Sequence, residues 1–232
     1  MQKVINPHIM TVNAKYEKTS HMPVPVVDHR ESGASVRRTP QQQRSRERVE
    51  RILSAAKDLI AQGGSDAMKM GELAERAGVP IGSLYQYFPD KGSVVRTLAE
   101  RYNDEGRTCI RDGLDGVRDA DGLASAFREL IDIYYGLFLD EPVMRDIWSG
   151  TQADRALQDI DIGDSRENGR ILAEALARIR PTGEIGALFT KAMLVMHLGT
   201  ATMRLAISVD RSEGDALVEA YIQLALRDLL SA

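Results

Sequence analysis

Cysteine and histidine are scarce in this chain of 232 residues. Cys109 is the single cysteine, so a disulfide within the chain is excluded and a reducing, cytoplasmic location is expected. Three of the four histidines, His8, His21 and His29, fall in the first 30 residues, which leaves His197 for the rest of the chain. We therefore expect no metal site built from His and Cys ligands in the folded body.

Catalytic signatures are also missing. The sequence contains no glycine-rich phosphate loop and no G-x-S-x-G motif, and no Ser/His/Asp set stands out. Asp159, Asp161 and Asp164 lie close together, but the glycine and glutamate of a calcium loop are not at the required spacing. We interpret these three residues as solvated loop acids, and we expect neither enzymatic activity nor a bound cofactor.

Long uninterrupted apolar runs and alternating strand patterns are missing as well. The most apolar stretch, Gly186–Ile207, contains Lys191, His197 and Arg204, whereas a membrane-spanning helix requires about 20 nearly uninterrupted apolar residues. The start of the chain lacks the pattern of a signal peptide. We therefore expect no membrane association, a buried helix at Gly186–Ile207, and an all-α fold.

Charge is present but unevenly distributed. Residues 1–107 carry a net charge of +4 and residues 108–232 carry −8, which together give the overall value of −4. A basic first half on an acidic second half is typical of a nucleic-acid-binding head on a body with another role.

Helical periodicity divides the chain into three parts. Residues 1–40 are rich in Pro, Ser and charge without periodicity and are predicted to be disordered. Residues 41–95 are predicted to form a three-helix domain, which would be the nucleic-acid-binding head that the charge distribution indicates, and residues 96–232 a larger helical body. About nine helices are predicted, at residues 41–62, Met70–Ala77, Pro80–Tyr87, 91–113, Gly122–Leu139, Pro142–Arg155, Asp164–Arg180, Gly183–Val209 and Ser212–Ser231. The pair Gly63-Gly64 is expected to stop the first of them.

The segment MGELAERAGVPIGSLYQYFP, residues 70–89, has the layout of a helix-turn-helix. Leu73 and Ala74 give its first helix one large and one small inward side chain, and the small one permits a close helix crossing. Gly78 stands where the tight turn requires a positive φ, and Pro80 suits the first helical position. The second helix is short, so its outer face is available to a major groove. That face carries Ile81, Gly82, Ser83 and Gln86.

With RILSAAKDLIAQGG and ELAER upstream, the stretch AGVPIGSLYQYFPDKGSV resembles the DNA-binding domain of the TetR family of transcriptional repressors. The resemblance covers about residues 46–100. It implies that Tyr85 and Tyr87 lie beside the phosphate backbone and that Lys91 starts the next helix and contacts phosphate. It also implies that the remaining chain is a helical ligand-binding and dimerisation domain. A purely structural role for the two tyrosines, as core aromatics, stays open.

Few groups remain to read bases. The second helix of the motif contains no arginine or lysine, so we expect Gln86 to pair with adenine and Ile81 to contact a thymine methyl group, which favours A·T pairs. Family members usually carry Ser or Thr entering the first helix of the motif, where this sequence has Met68-Lys69-Met70. The missing hydroxyl predicts a weaker helix cap, and Lys69 is expected to reach a phosphate instead. Arg44 and Arg46 belong to a basic cluster that is either a DNA-contacting arm or a solvated tail.

A two-fold DNA site requires a dimer, since one short helix reads only a few base pairs. The last two helices are the predicted interface. Ala192, Gly199 and Ala206 form a line of small residues that permits close helix approach. The final helix has two apolar stripes where a helix covering only its own core needs one. The stripes are Leu217, Ala220 and Leu224, and Val218, Ile222, Ala225 and Leu229. A buried helix within a monomer is the alternative.

Methionine and aromatic residues on the middle helices suit an apolar cavity with a few polar handles. His197 is alternatively a hydrogen-bonded core histidine. The candidate ligand-binding residues are Tyr134, Tyr135, Phe138, Met144, Trp148, Met193, Met196 and His197. The expected function is a homodimeric repressor that binds a palindromic operator and is released by a small, largely apolar or aromatic ligand. A helical DNA-binding dimer controlled by a partner protein, or one without an inducer, is the alternative, and activation rather than repression stays open.

Overall fold

The computed structural model describes residues 40–151, 153–180 and 185–231. Within them the chain forms nine helices and no strand, which confirms the predicted all-α fold. The helices are α1 (Pro40–Ala67), α2 (Met70–Arg76), α3 (Ile81–Tyr87), α4 (Lys91–Asp115), α5 (Ala120–Asp140), α6 (Pro142–Gly150), α7 (Arg155–Ile179), α8 (Ile185–Ala206) and α9 (Arg211–Leu230).

The chain divides into two compact units, Met1–Arg51 and Ile52–Ala232. The described part of the first unit is the beginning of α1, where Gln43 donates a hydrogen bond to Glu47 one turn later, at 3.1 Å. The predicted disordered extension, residues 1–40, lies almost entirely outside the described residues. The predicted domain boundary at residues 95 and 96 stays a prediction, and α4 runs through it without a break.

α1 is interrupted near its end by Gly64, whose φ of 80° and ψ of 160° are not helical. The next residue, Ser65, donates its N–H to Oδ2 of Asp146 on α6 at 3.0 Å. A Cβ at position 64 would lie 3.0 Å from Oδ1 of the same aspartate. Glycine is therefore required there both for the positive φ and for this close approach. Of the predicted stop pair, Gly64 is the residue that breaks the helix.

α7 begins earlier than predicted, at Arg155 instead of Asp164, and α6 ends at Gly150 instead of Arg155. Asp154 caps α7, because its Oδ1 accepts hydrogen bonds from the N–H groups of Ala156 at 2.8 Å and Leu157 at 3.2 Å. The aspartate-rich run at 159–164 therefore lies inside a helix, where tertiary partners override the local preference of Asp for turns.

α8 and α9 pack closely within one chain. A Cβ at Gly199 would lie 3.1 Å from the Tyr221 hydroxyl, and one at Gly214 would lie 2.4 Å from the Ala206 carbonyl oxygen. Ala192 and Ala206 are buried too. The line of small residues expected at an interface with a partner therefore serves the contact between α8 and α9 of the same chain.

None of the described helices carries a stretch long and apolar enough to cross a membrane.

Candidate DNA interface and effector site

The first helix of the helix-turn-helix starts without a side-chain cap. Lys69 occupies the N-cap position with extended backbone angles, φ −112° and ψ 138°, and makes no capping hydrogen bond. This agrees with the expected weak cap. The inward residues Leu73 and Ala74 are both buried, as the spacing predicted.

The turn follows the predicted geometry closely. Gly78 has a φ of 63°, in the left-handed region that favours glycine. The N–H of Ala77 bonds to the Leu73 carbonyl at 2.9 Å, and that of Val79 bonds to the Ala74 carbonyl at 3.0 Å, which holds the end of α2. Pro80 lies one position earlier than predicted. It is the N-cap of α3 with ψ 138°, because its carbonyl accepts the first helical hydrogen bonds while its own backbone stays extended.

α3 is anchored on one side and open on the other. Leu84 is fully buried, whereas Tyr85 is 50% and Ile81 45% exposed. Gln86 and Pro80 are also exposed, and Ser83 is half-buried. A Cβ at Gly82 would meet no atom within 4 Å. The face predicted to enter a groove is therefore uncovered over the described residues.

The two tyrosines of α3 differ. The exposure of Tyr85 excludes a core role for that residue. Tyr87 is half-buried and already interacts with neighbouring residues. Its predicted phosphate contact is consequently the weaker of the two assignments.

Lys91 ties the start of α4 to the end of α1. Its Nζ donates to the carbonyl oxygen of Asp66 at 2.8 Å. Asp90 caps α4 by accepting the Ser93 N–H at 2.6 Å, and Ser93 Oγ accepts the Asp90 N–H at 3.4 Å. Lys91 therefore has a structural partner in addition to its predicted phosphate contact.

The remaining basic candidates are at the surface or partly covered. Lys69 is exposed. In the first unit, Arg44 is exposed and Arg46 is half-buried. The predicted arm contacts of these two arginines stay predictions.

In the body, three predicted ligand residues belong to α5. The rings of Tyr134 and Phe138 meet edge to face at a centroid distance of 5.1 Å. The Tyr134 hydroxyl lies 3.2 Å from Oγ1 of Thr200 on α8. Tyr135 is buried beneath Arg211 of α9, whose guanidinium is 5.3 Å from the ring centroid.

Met144 and Trp148 are buried on α6, in a different environment. The Trp148 ring meets Tyr102 of α4 edge to face at 6.3 Å. Lys57 of α1 places its ammonium 4.7 Å from the centroid of the same tyrosine. Burial, with the nearby Glu141 and Glu105, raises the pKa of Tyr102 far above its ordinary value. These aromatics join α1, α4 and α6.

The predicted ligand residues of α8 lie along α7. Met193, Met196 and His197 are half-buried. His197 Nδ1 is 3.0 Å from the Ser165 hydroxyl oxygen, but the His197 side chain is 41% exposed. It is therefore hydrogen-bonded, as the alternative expected, without belonging to the core.

Sequence reasoning missed a polar group on the inner side of α7. The Asp164 carboxylate is 2.9 Å from Arg107 Nη1 on α4 and accepts a 2.7 Å hydrogen bond from Asn168 Nδ2. Burial raises the pKa of Asp164 to about 7, against the opposing effect of Arg107. Asp161 lies 4.0 Å from His197 Nδ1, and burial raises its pKa as well, although His197 and Arg204 oppose the shift.

The interpretation of the aspartates as solvated loop acids is therefore wrong for Asp161 and Asp164, which are helical and largely buried. Asp159 is exposed, although it too is helical. A signal was present, because Asp161, Asp164 and Asn168 recur at i, i+3 and i+7 and so share one helix face. Within the described residues, no group of three or more His, Cys, Asp or Glu is placed to hold a metal ion.

Two family models match the chain. "Bacterial regulatory proteins, tetR family" matches residues 52–98, and "Tetracyclin repressor-like, C-terminal domain" matches residues 121–232. Between them they cover the helix-turn-helix and most of the body.

Among curated proteins, the HTH-type transcriptional repressor KstR of Rhodococcus jostii is 50% identical over 66 residues, 27% of this chain and 31% of that protein. The match thus spans about a third of the relative's length. Among solved structures, a TetR-family transcriptional regulator from Streptomyces coelicolor is 26% identical, with a TM-score of 0.59, and the match covers 79% of this chain and 97% of that one. FadR from Bacillus subtilis, in complex with stearoyl-CoA, is 18% identical, with a TM-score of 0.54 and coverages of 76% and 96%.

Proposed function

The chain belongs to the TetR family of bacterial regulatory proteins, and from this we propose that it is a transcriptional repressor that binds a palindromic operator as a homodimer and is released by a small ligand. The observation that carries the proposal is the uncovered outer face of α3, held by the buried Leu84 and by the turn at Gly78. An α-helix presented in this way fits the major groove.

Each side chain on that face has a distinct role in the proposal. Tyr85 donates its hydroxyl to a phosphate oxygen, which fixes the position of α3 without reading sequence. Gln86 pairs with adenine and Ile81 contacts a thymine methyl group. Gly82 permits close approach of the backbone, because it presents no side chain. Lys69 and Lys91 add charge beside the DNA backbone, and Arg44 and Arg46 of the first unit are proposed as phosphate contacts of a basic arm.

The outer surfaces of α8 and α9 support the dimer. Leu194, Leu198 and Leu205 of α8 and Leu224 of α9 are large apolar side chains that the described chain leaves exposed, Leu194 by 57% and Leu224 by 54%. On α9 the stripe Val218, Ile222, Ala225 and Leu229 is buried in the chain's own core. The other stripe, which contains Leu224, is therefore available to a second copy.

The body is the place we assign to the effector. The half-buried Tyr134, whose ring packs on the fully buried Phe138, provides apolar surface, and the half-buried Met193 and Met196 add adaptable surface. The FadR structure of the same fold was solved with a ligand, stearoyl-CoA. That complex shows that a protein of this fold holds a ligand, and we place the effector of this chain in the body on the side chains named above.

α4 is suited to carry the effect of the ligand to α3. It starts in the head at Lys91, which holds the end of α1, and reaches the body at Arg107, which holds Asp164. A ligand that favours one position of α4 changes the spacing of two α3 helices in a dimer, so ligand and operator exclude each other.

The test is operator binding by the full chain, measured by fluorescence anisotropy on DNA from its own upstream region as a function of salt. We expect a saturable complex with a two-fold site rich in A·T pairs, and sites selected from random DNA with invariant guanine beneath α3 would contradict the base assignments. The absence of binding at low ionic strength to any upstream fragment would overturn the function.

The dimer surface has its own control. Leu194→Glu combined with Leu224→Glu is expected to yield a monomer by analytical ultracentrifugation and to weaken operator binding strongly. Ile162→Glu changes another exposed apolar residue, on α7, and should leave the dimer intact. If all variants remain dimeric, the interface lies elsewhere.

A further inference from the structure

Three side chains on one face of α7, Asp161, Asp164 and Asn168, form what we call the acid cluster. We propose that the acid cluster binds the protonated amino group of an organic cation, so that the effector is an amphipathic amine with an apolar body. The proposal rests on the effector-controlled repressor proposed above and names the ligand class of that site.

An unpaired hydrogen-bond acceptor is the first observation that points to a ligand. Asn168 is only 8% exposed. The Asn168 Nδ2 donates a hydrogen bond to the Asp164 carboxylate, because an ionised carboxylate can accept hydrogen bonds but not donate them. The Asn168 Oδ1 therefore receives no hydrogen bond from Asp164. That oxygen is buried and has no hydrogen-bond partner among the described residues. A buried acceptor without a partner is destabilising, and a ligand N–H would supply the missing hydrogen bond.

The charge balance of the surrounding side chains is the second observation. Asp104 and Arg107 of α4, Asp161 and Asp164 of α7, and Arg204 and His197 of α8 all act on this region. Arg107 is shared, because its Nη2 lies 2.6 Å from Asp104 and its Nη1 lies 2.9 Å from Asp164. Apart from His197, three carboxylates act here together with two guanidinium groups. One additional positive charge balances the set.

Arg204 is the group that argues for an anion instead. Its Nη1 is buried without a hydrogen-bond partner among the described residues. However, the positive charge of Arg204 attracts the Asp161 carboxylate. This attraction partly offsets the rise that burial causes in the pKa of Asp161. Arg204 therefore offsets the charge of Asp161. Asp164 and Asp104 share the guanidinium group of Arg107. A carboxylate ligand would add a negative charge to a region that already has an excess.

The neighbouring side chains suit the rest of such a ligand. The phenol of Tyr134 lies close enough to Asp164 and Asp161 for both to raise its pKa, in addition to the larger effect of burial. Tyr134 also stacks edge to face on Phe138. An ammonium group beside carboxylates and an aromatic ring gains from both, and the apolar body of the ligand then lies against the aromatic pair.

Binding at the acid cluster reaches α4 directly. An ammonium group that takes up an oxygen of Asp164 competes with Arg107 for that carboxylate. α4 carries Arg107 toward its C-terminal half and Lys91 at its start in the head. Loss or rearrangement of the 2.9 Å ion pair between Arg107 and Asp164 is thus the structural step by which this ligand class changes the head.

The experiment compares three probes that share one body: 4-phenylbutylamine, 4-phenylbutanol and 4-phenylbutyrate. Their affinity for the full chain is measured by isothermal titration calorimetry at pH 8, and their effect on operator binding by anisotropy. We expect the amine to bind at least about tenfold more tightly than the alcohol, as a charge-assisted hydrogen bond would give, and to release DNA. Equal affinities, or tightest binding by the carboxylate, would overturn the proposal; the second outcome would identify Arg204 as the anchor.

Variants and pH sharpen the test. Asp164→Asn should reduce amine binding at least about tenfold without changing alcohol binding, while Asp159→Asn, on the exposed side of α7, should change neither. Since the cation requires ionised Asp164, amine affinity should fall about tenfold from pH 8 to pH 6. Should Asp164→Asn not fold, proton release on amine binding, measured in buffers of different ionisation enthalpy, decides the question with the wild-type chain.

The repressor function and the cation site can be disproved independently of each other. If the chain does not bind operator but binds the amine preferentially, the repressor function is wrong and the acid cluster is still a cation site. If operator binding is normal and the amine has no advantage, the cation site is wrong and the repressor function is untouched.

Discussion

α3 and α7 both carry the side chains on which a proposal depends, yet they relate to the sequence in opposite ways. α3 has seven residues, buries Leu84 and packs on α2, the helix directly before it in sequence. α7 has 25 residues, and its important side chains meet partners far away in sequence. Arg107 and Asp164 are 57 positions apart, and Ser165 and His197 are 32 apart. A local sequence pattern predicts which side of a helix is exposed when the residues packed against that helix are close in sequence. It does not predict this when those residues come from distant helices.

The largest effect is expected from Leu84→Ala, which tests the anchored side of α3. Leu84 is fully buried, so the lost burial and the remaining cavity should lower the free energy of unfolding by about 3 kcal/mol in urea titrations. Operator binding should be lost with it. Ile81→Ala, on the exposed side of the same helix, should change stability by less than about 0.5 kcal/mol. Similar losses for both variants would contradict the two-sided description of α3.

The second prediction applies the same test to α7. The pKa of Asp164 is about 7 in the folded chain, above its ordinary value of 3.8. The unfolded chain therefore releases this proton more readily, and the carboxyl contributes stability below pH 4 that disappears as the pH rises to 7. Asp164→Asn removes the buried charge and should raise the free energy of unfolding at pH 8 by about 2 kcal/mol. This is about half of what the raised pKa alone would give, because Arg107 loses its partner in the variant.

Thermal melts of wild type and Asp164→Asn from pH 4 to pH 8 check this prediction. The gain should shrink as the pH falls. Asp159→Asn is the matched control, because Asp159 is exposed on the same helix and should show no such dependence. A variant less stable than wild type at pH 8 would show that the pair with Arg107 outweighs the burial of the charge.

The sequence predicted the turn at Gly78 and the two sides of α3 correctly, whereas its DNA contacts stay predictions and the body was predicted only in part. Gly78 required a positive φ, and the alternation of buried Leu84 with exposed Tyr85 follows from helical spacing. In the body the sequence predicts the number and type of the helices. It predicts solvated acids at Asp161 and Asp164, ahead of or at the start of a helix, because Asp favours turns when only its neighbours are considered. Their burial depends on Arg107 and on α8, which no local pattern encodes. The small-residue line at Gly199 likewise predicted a close approach correctly but not which helix makes it.

The third largest effect is expected from Tyr85→Phe, which tests whether the exposed side of α3 contacts phosphate. The change removes only the hydroxyl, so stability should stay within about 0.5 kcal/mol of wild type. Operator affinity should fall about tenfold, as expected for a hydrogen bond to a charged acceptor. The loss should be equal for all operator variants, since a phosphate contact carries no sequence information. A loss confined to particular base pairs would assign Tyr85 to base reading.

The smallest effect concerns Lys69, where the cap of α2 and a DNA contact compete for one position. The extended backbone of Lys69 is suited to a capping serine, and Glu72 stands three residues later, so Lys69→Ser completes a capping box and should stabilise the chain by about 1 kcal/mol. Lys69→Ala removes the same charge without supplying a cap. Both variants should make the slope of operator affinity against salt concentration shallower, by the amount expected for the loss of about one phosphate contact per protomer. Only the serine variant should melt at a higher temperature. If the salt dependence is unchanged in both, Lys69 is not at the DNA, and the weak cap of α2 has no compensating role in this head.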